Sequence, residues 1–254
     1  MTRGRENTQS APRGELLRRR RRARLAGSAA IAVAVAALAF GLSRDDTSPG
    51  GASPSEERPE AACEAAAPPK ADPRSYEQPR DVLEPGVDYA AVIETSCGRI
   101  EIDLLEERSP ETVNNFVFLA REDFYTGLTW HRVVENFVIQ TGDPDGINGH
   151  APDGPGYSIQ DEFGGLEGNE YVFGAVAMAN AGQPDTGGSQ FFIVVQPDGP
   201  AGLDPLYSLF GRAVGSRQTL LEIAGKATIG GDDPALMDEP RVPIYIDSIQ
   251  VIER

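Results

Sequence analysis

The apolar and polar positions divide the 254-residue chain into stretches of different character. Residues 25–42 (LAGSAAIAVAVAALAFGL) form an uncharged run, which at about 1.5 Å per helical residue spans roughly 27 Å, close to the ~30 Å of a bilayer's hydrocarbon core. Residues 43–85 hold almost no large apolar side chains, and eight Pro are scattered among Ala, Glu, Ser and Asp. Such a segment buries too little surface to offset chain entropy, so a disordered, semi-extended linker is expected there. From residue 86 onward a period of two takes over. Tyr89–Thr95 and Arg99–Leu105 alternate as a hairpin around Ser96-Cys97-Gly98, with Ile100, Ile102 and Leu104 on one face of the second strand.

Further strands are predicted at 128–134, 137–141, 172–178, 190–195, 208–214 and 244–252, the last with a bulge at Asp247-Ser248 where the apolar phase slips. Two segments carry the helical period instead. Ser109-Pro110-Glu111 opens the first, which presents Val113, Phe116, Val117 and Ala120 on one face; the second runs from Ser216 to Ala224 with Leu220, Leu221 and Ala224 inward. Eight strands and two helices suggest a mainly β domain built on a closed barrel, preceded by one N-terminal transmembrane or signal helix. The Gly-rich stretch from 142 to 170 is too long for an ordinary connection and is expected to wall a site.

Charge separates the ends. Residues 1–24 carry nine Arg against two Glu, whereas 86–254 carry 9 Lys and Arg against 27 Asp and Glu, within a net charge of −16. An acidic body argues against nucleic-acid binding. Arg on one side of the apolar run and acids on the other orient it, with 1–24 in the cytoplasm and everything beyond 43 outside. Two readings stay open: a membrane anchor through residues 25–42, or a signal peptide cleaved after Ala37-Leu38-Ala39. Both export the domain at 86–254. Cys63 and Cys97 then lie where disulfides persist, which leaves open a Cys63–Cys97 bridge or two separate thiols. Two Cys and two His far apart make no metal-ligand spacing, so no metal is expected.

No Gly-x-Ser-x-Gly elbow, His-Glu-x-x-His or Cys nucleophile is visible, and no Walker-type phosphate loop. What stands out are WHRVVENFVIQTGD (130–143), VAMANAG (176–182) and GSQFFIVV (188–195), apolar segments that each carry uncharged or cationic hydrogen-bonding side chains. Their order and spacing resemble the cyclophilin family of peptidyl-prolyl cis/trans isomerases over about 88–253. The resemblance implies an eight-stranded barrel capped by two helices, proline-containing polypeptide clients, no cofactor and a monomer. It implies that Arg132 is the catalytic arginine, with Phe137 and Gln140 as further active-site positions. Ala179, Asn180 and Ala181 match the stretch that pairs with substrate, Gln190 and Phe191 a polar and an aromatic wall, and Val138, Leu203 and Tyr207 the proline pocket. Phe192 and Trp130 are then core residues, and His131 a packing histidine opposite Arg132. Val138 stands where the family often has Met, Tyr207 where many members have His, and Gly202 where it often has Trp. The last removes an aromatic wall and puts cyclosporin binding in doubt. The alternative function is a catalytically weak module of the same fold that docks Pro-containing segments, with Gly202 as the feature favouring it.

Overall fold

The computed structural model describes residues 63, 69–72, 74–144, 154–226, 228–230 and 237–254. The basic tail, the apolar run 25–42 and most of the expected linker lie outside the described residues. Among those described, no helix is long and apolar enough to cross a membrane.

Eight strands form one antiparallel sheet: β1 (Tyr89–Thr95), β2 (Gly98–Leu104), β3 (Arg132–Val134), β4 (Val138–Thr141), β5 (Ala175–Met178), β6 (Phe191–Val194), β7 (Leu209–Val214) and β8 (Ile246–Glu253), in the order β3-β4-β6-β5-β7-β2-β1-β8. The closed barrel expected from the pattern is not what forms. The sheet curls, and its edges meet around the residues that lead into β3 and β8, through a Thr129–Tyr245 bridge and backbone bonds from the Trp130 N–H to the Ile244 carbonyl at 2.8 Å, the Gly127 N–H to the Ile246 carbonyl at 2.8 Å and the Ile246 N–H to the Leu128 carbonyl at 2.9 Å. The reason lies in the approach to β8. Pro240 and Pro243 have no N–H to offer a ladder, so that approach cannot pair regularly with β3. The bulge is found as read: Glu94 faces Ser248 and Thr95 faces Ile246, leaving Asp247 as the extra residue.

Helix α1 (Pro110–Arg121) begins at Ser109 with Pro110 in its first turn. The Ser109 hydroxyl does not cap it, donating instead to the Leu209 carbonyl at 2.9 Å. Glu162, from the Gly-rich loop, accepts from the Glu111 N–H at 3.1 Å and the Thr112 N–H at 2.7 Å. A carboxylate at the positive end of the helix dipole thus ties that loop to the sheet's cap. Helix α2 (Arg217–Ala224) buries Leu220, Ile223 and Ala224. Leu221, expected inside, is 41% exposed, because a residue one step beyond Leu220 sits about 100° around the helix from it.

The stretch read as linker is ordered against the domain at its far end. Cys63 and Cys97 are joined in a disulfide with Cα atoms 4.0 Å apart. Pro69 and Ala71 pass so close to Gly127 that a Cβ there would lie 2.4 Å from the Pro69 carbonyl oxygen, and Gly127 has a φ of +80°, a combination only glycine tolerates. Tyr76 packs edge-on against Phe118 at 5.0 Å, Val82 N–H donates to Asn114 Oδ1 at 2.8 Å, and Arg121 donates to the Val82 carbonyl at 2.8 Å. Arg74 and Arg80 both bond to Glu122. This strap covers the outer side of α1, which is why Phe118 is buried there as well as the face turned to the sheet. Composition was a poor guide because a few apolar residues suffice when a helix supplies the other half of the contact.

The interior holds an aromatic cluster. Phe191 lies 5.5 Å from Phe116, 5.7 Å from Tyr125 and 6.1 Å from both Trp130 and Phe210, all close to edge-on. A second apolar cluster lies on the other face of β4, β5 and β6 and contains Val138, Tyr171, Ala177, Phe192, Val194 and Leu209.

Candidate active site

Register decides which side chains meet. Arg132 on β3 is paired with Gln140 on β4, Gln140 with Phe192 on β6, and Phe192 with Ala177 on β5. Directly paired residues of an antiparallel sheet point to the same face. Arg132, Gln140 and Phe192 therefore form a row across three strands, and Val138, two residues before Gln140, shares their face. The neighbours Val133, Ile139 and Ile193 point into the core, where each is buried.

This row corrects one expected assignment. Phe191 is not a wall of the site: it is fully buried at the centre of the aromatic core, and Phe192 faces the site in its place. The Phe192 ring stands edge-on to Tyr207 at 5.2 Å. The physical reason is the period of two. Gln190 belongs to the site face, since Gln140 Nε2 donates to its Oε1 at 2.8 Å, so the aromatic sharing that face is two residues on.

Around the row the structure gathers most of the residues singled out in the sequence. Phe137, Ala179, Leu203 and Tyr207 are half-buried against the cluster of Val138 and Phe192. Tyr171 fixes Tyr207: its hydroxyl donates to the Tyr207 carbonyl at 2.8 Å and accepts from the Tyr207 N–H at 3.1 Å. Burial pushes the Tyr171 phenol up to about 12, so it remains a donor at any physiological pH. Sequence reading missed Tyr171, whose only signal is a lone tyrosine ahead of a strand.

Ala179, Asn180 and Ala181 leave β5 in a turn. The Ala179 N–H donates to the Gln190 carbonyl at 2.9 Å and the Ala181 N–H to Thr186 Oγ1 at 2.9 Å. The Asn180 side chain holds the turn, Nδ2 donating to the Leu206 carbonyl at 2.8 Å and Oδ1 accepting from the Gly182 N–H at 3.1 Å. Asn180 is thus the one of the three whose own N–H and carbonyl have no partner among the described residues. Gly202, next to Leu203, has a φ of +69° and open space where a Cβ would stand, so it brings no side chain of its own to the site.

Arg132 is held from two directions. Its Nε donates to Asp238 Oδ2 at 3.2 Å, and its guanidinium carbon lies 5.9 Å from the Phe137 ring centroid. The terminal nitrogens make no hydrogen bond among the described residues. Asp238 is a second residue that sequence reading missed. His131, on the opposite side of the strand, is 1% exposed; burial and the adjacent Arg132 charge push its imidazole down to about 4, leaving it neutral. It takes no part in the site. The site therefore offers a cation held by an ion pair, an amide pair and an apolar pocket. Among the described residues no group of His, Cys, Asp and Glu could hold a metal ion.

The cyclophilin type peptidyl-prolyl cis-trans isomerase/CLD pattern matches residues 90–251. Peptidyl-prolyl cis-trans isomerase B of Bacillus subtilis is 47% identical over 116 residues, covering 45% of this chain and 75% of that protein. Peptidyl-prolyl isomerase CWC27 of Cryptococcus neoformans is 34% identical over 171 residues, 67% of this chain but 33% of that longer protein. A Cryptosporidium parvum cyclophilin, solved in the presence of the dipeptide Ala-Pro, superposes with a TM-score of 0.53 at 27% identity, over 65% of this chain and 99% of that one. On the family match, on the curled eight-stranded sheet with two helices, and on the row of Arg132, Gln140 and Phe192, the chain belongs to the cyclophilin-type peptidyl-prolyl cis-trans isomerases.

Proposed function

We propose that this chain accelerates rotation about X-Pro bonds of exported polypeptides, without covalent chemistry, through a hydrogen bond from Arg132. The amide before proline has a barrier of about 18–20 kcal/mol because the nitrogen lone pair is delocalised, and its uncatalysed exchange takes tens to hundreds of seconds. In the twisted state the lone pair returns to nitrogen, which can then accept a hydrogen bond that the planar amide cannot. A donor aimed at that nitrogen stabilises the twisted state selectively, and this is what lowers a barrier. Arg suits the task because it stays charged and its donors are fixed in a plane.

The other residues divide the substrate between them. Phe192, Val138, Phe137, Leu203 and Tyr207 seat the proline ring, and the Asn180 backbone pairs with the peptide. Gln140 and Gln190, bonded to each other, face the acyl side that turns. A barrier lowered by about 7 kcal/mol would speed exchange by roughly five decades. No cofactor enters these steps. The observation that carries the reading is the Arg132, Gln140 and Phe192 row, at whose end the terminal guanidinium nitrogens make no hydrogen bond among the described residues. The Arg tail and apolar run 25–42 support a location across the cell membrane from the cytoplasm, as a single-pass anchor or after cleavage near Ala39. A monomer binding newly exported, proline-containing chains fits this arrangement. The lack of a side chain at Gly202 disfavours cyclosporin.

Gly202 also favours a second reading, a module that docks proline segments without useful turnover. Exchange spectroscopy on a short Ala-Pro peptide with the full chain separates the two. Exchange far above the uncatalysed rate supports the isomerase. Binding, seen as shifted peptide resonances, with exchange left at the uncatalysed rate supports the docking module.

A further inference from the structure

The Arg132 to Asp238 ion pair is not part of the motifs that led to the site, and its placement is built. Asp238 lies 106 residues beyond Arg132, in residues 237–245 ahead of β8. Three backbone contacts pin that stretch. The Val133 N–H, on the free edge of β3, donates to the Asp238 carbonyl at 2.8 Å; the Ile229 N–H donates to the Glu239 carbonyl at 2.7 Å; and Thr228 bridges Pro240. The Arg241 Nε adds a bond to the Thr228 carbonyl at 2.7 Å. The carboxylate therefore reaches Arg132 from a position fixed by the backbone of the very next residue. Both partners are about one-third exposed, 32% for Arg132 and 27% for Asp238.

We infer that Asp238 is a positioning residue for the isomerase reaction: by engaging Nε it sets the plane of the guanidinium and turns the terminal nitrogens toward the substrate. This deepens the reading of Arg132 given above and rests on it. Gln140, paired with Arg132 across the strands, bonds Gln190 through its amide nitrogen, and no hydrogen bond joins its Oε1 to Arg132 among the described residues. Phe137 bounds the guanidinium but, as a ring, cannot choose its rotation. Without Asp238 the last two torsions of Arg132 are released, and with about three wells each the productive orientation falls to about one in nine. The position of the acid is also a compromise. A carboxylate on Nε lowers the positive potential at the far nitrogens, but across water-exposed surroundings that pull is weak, and fixed geometry outweighs it.

The test is steady-state isomerisation by the full chain, with kcat and KM resolved by NMR lineshapes on an Ala-Pro peptide, for the parent, Asp238→Ala, Asp238→Asn, Arg132→Ala and the Arg132→Ala/Asp238→Ala pair. A transition-state orientation effect lowers kcat and leaves KM in place. Asp238→Ala is expected to lose about tenfold in kcat with KM unchanged, by the rotamer count above. Asp238→Asn, which keeps an acceptor oxygen, is expected to stay within about threefold of the parent, and adding Asp238→Ala to Arg132→Ala to change nothing further. Unchanged kcat in Asp238→Ala, a rise in kcat, or the same loss in the Arg132→Ala background would each overturn the positioning role. If instead Arg132→Ala alone retains full activity, it is the assignment of Arg132 that fails, and the two failures are told apart in one experiment.

Discussion

Phe191 and Phe192 are adjacent, identical in type and both buried, yet the structure gives them opposite duties, so substituting each by Ala separates stability from catalysis. Phe191→Ala removes a ring that is 0% exposed and touches four other aromatic rings within 6.1 Å. No solvent reaches the void, so the lost transfer energy and the cavity add, for about 3–5 kcal/mol. Phe192→Ala removes a ring 5% exposed beside Tyr207, on the side that opens to the site. Water can enter that space, the cavity contribution is largely absent, and the cost is closer to the transfer term of about 1.5–3 kcal/mol. Activity runs the other way. Per folded molecule, Phe191→Ala should keep kcat/KM within about threefold, whereas Phe192→Ala loses a wall of the proline pocket and should lose at least tenfold, equivalent to about 1.4 kcal/mol. The assay is urea unfolding at fixed m-value for stability, alongside peptide exchange measured well below each midpoint for activity. An inactive but nearly unperturbed Phe191→Ala, with a fully active Phe192→Ala, would refute the face assignment and restore the order first read from the sequence.

Two further outcomes follow from the structure. His131 has a folded value of about 4 against 6.5 ordinarily, so the unfolded chain binds its proton first, and stability present above pH 6.5 is lost as pH falls toward 4, by up to about 3 kcal/mol. His131→Gln should remove that part of the acid dependence while leaving the contribution of the carboxylates; an identical pH slope in the variant and the parent would contradict the buried neutral imidazole. The disulfide closes a loop of 34 residues, for which loop-closure entropy gives about 3–4 kcal/mol. Cys63→Ser, or dithiothreitol added to the parent, should lower the urea midpoint accordingly, and equal midpoints would show that the strap holds without its covalent tie.

How far the sequence reveals this molecule depends on the range over which each signal acts. The β1–β2 hairpin and α1 are written locally, in the alternation of Ile100, Ile102 and Leu104 and in Ser109-Pro110, and both form where the pattern puts them. Arg132 and Gln140 could be seen to share a face from their spacing around a turn. Phe192 was equally legible, because Gln190 two residues earlier marks the face, but motif adjacency pointed to Phe191. Leu221 was misplaced for a similar reason, a helical step counted as if neighbours shared a side. Asp238 and the strap were not legible at all. Asp238 meets Arg132 through a backbone bond to Val133 that no local pattern announces. Tyr76 and Val82 look isolated in a Pro- and Ala-rich run, and their partners Phe118 and Asn114 on α1 lie more than thirty residues on in the sequence. Closure of the sheet likewise turned on two prolines ahead of β8, which interrupt a ladder the strand count alone would have completed.

The proposed role has Arg132 acting on the twisted amide and not on substrate binding. It is tested most directly by Arg132→Ala in the full chain, with peptide affinity and exchange rate measured in the same NMR samples. Expected is a kcat/KM lower by at least about a hundredfold, with the dissociation constant within about threefold, the mark of an interaction made only in the transition state. Undiminished exchange, or a loss of exchange matched by an equal loss of affinity, would contradict it.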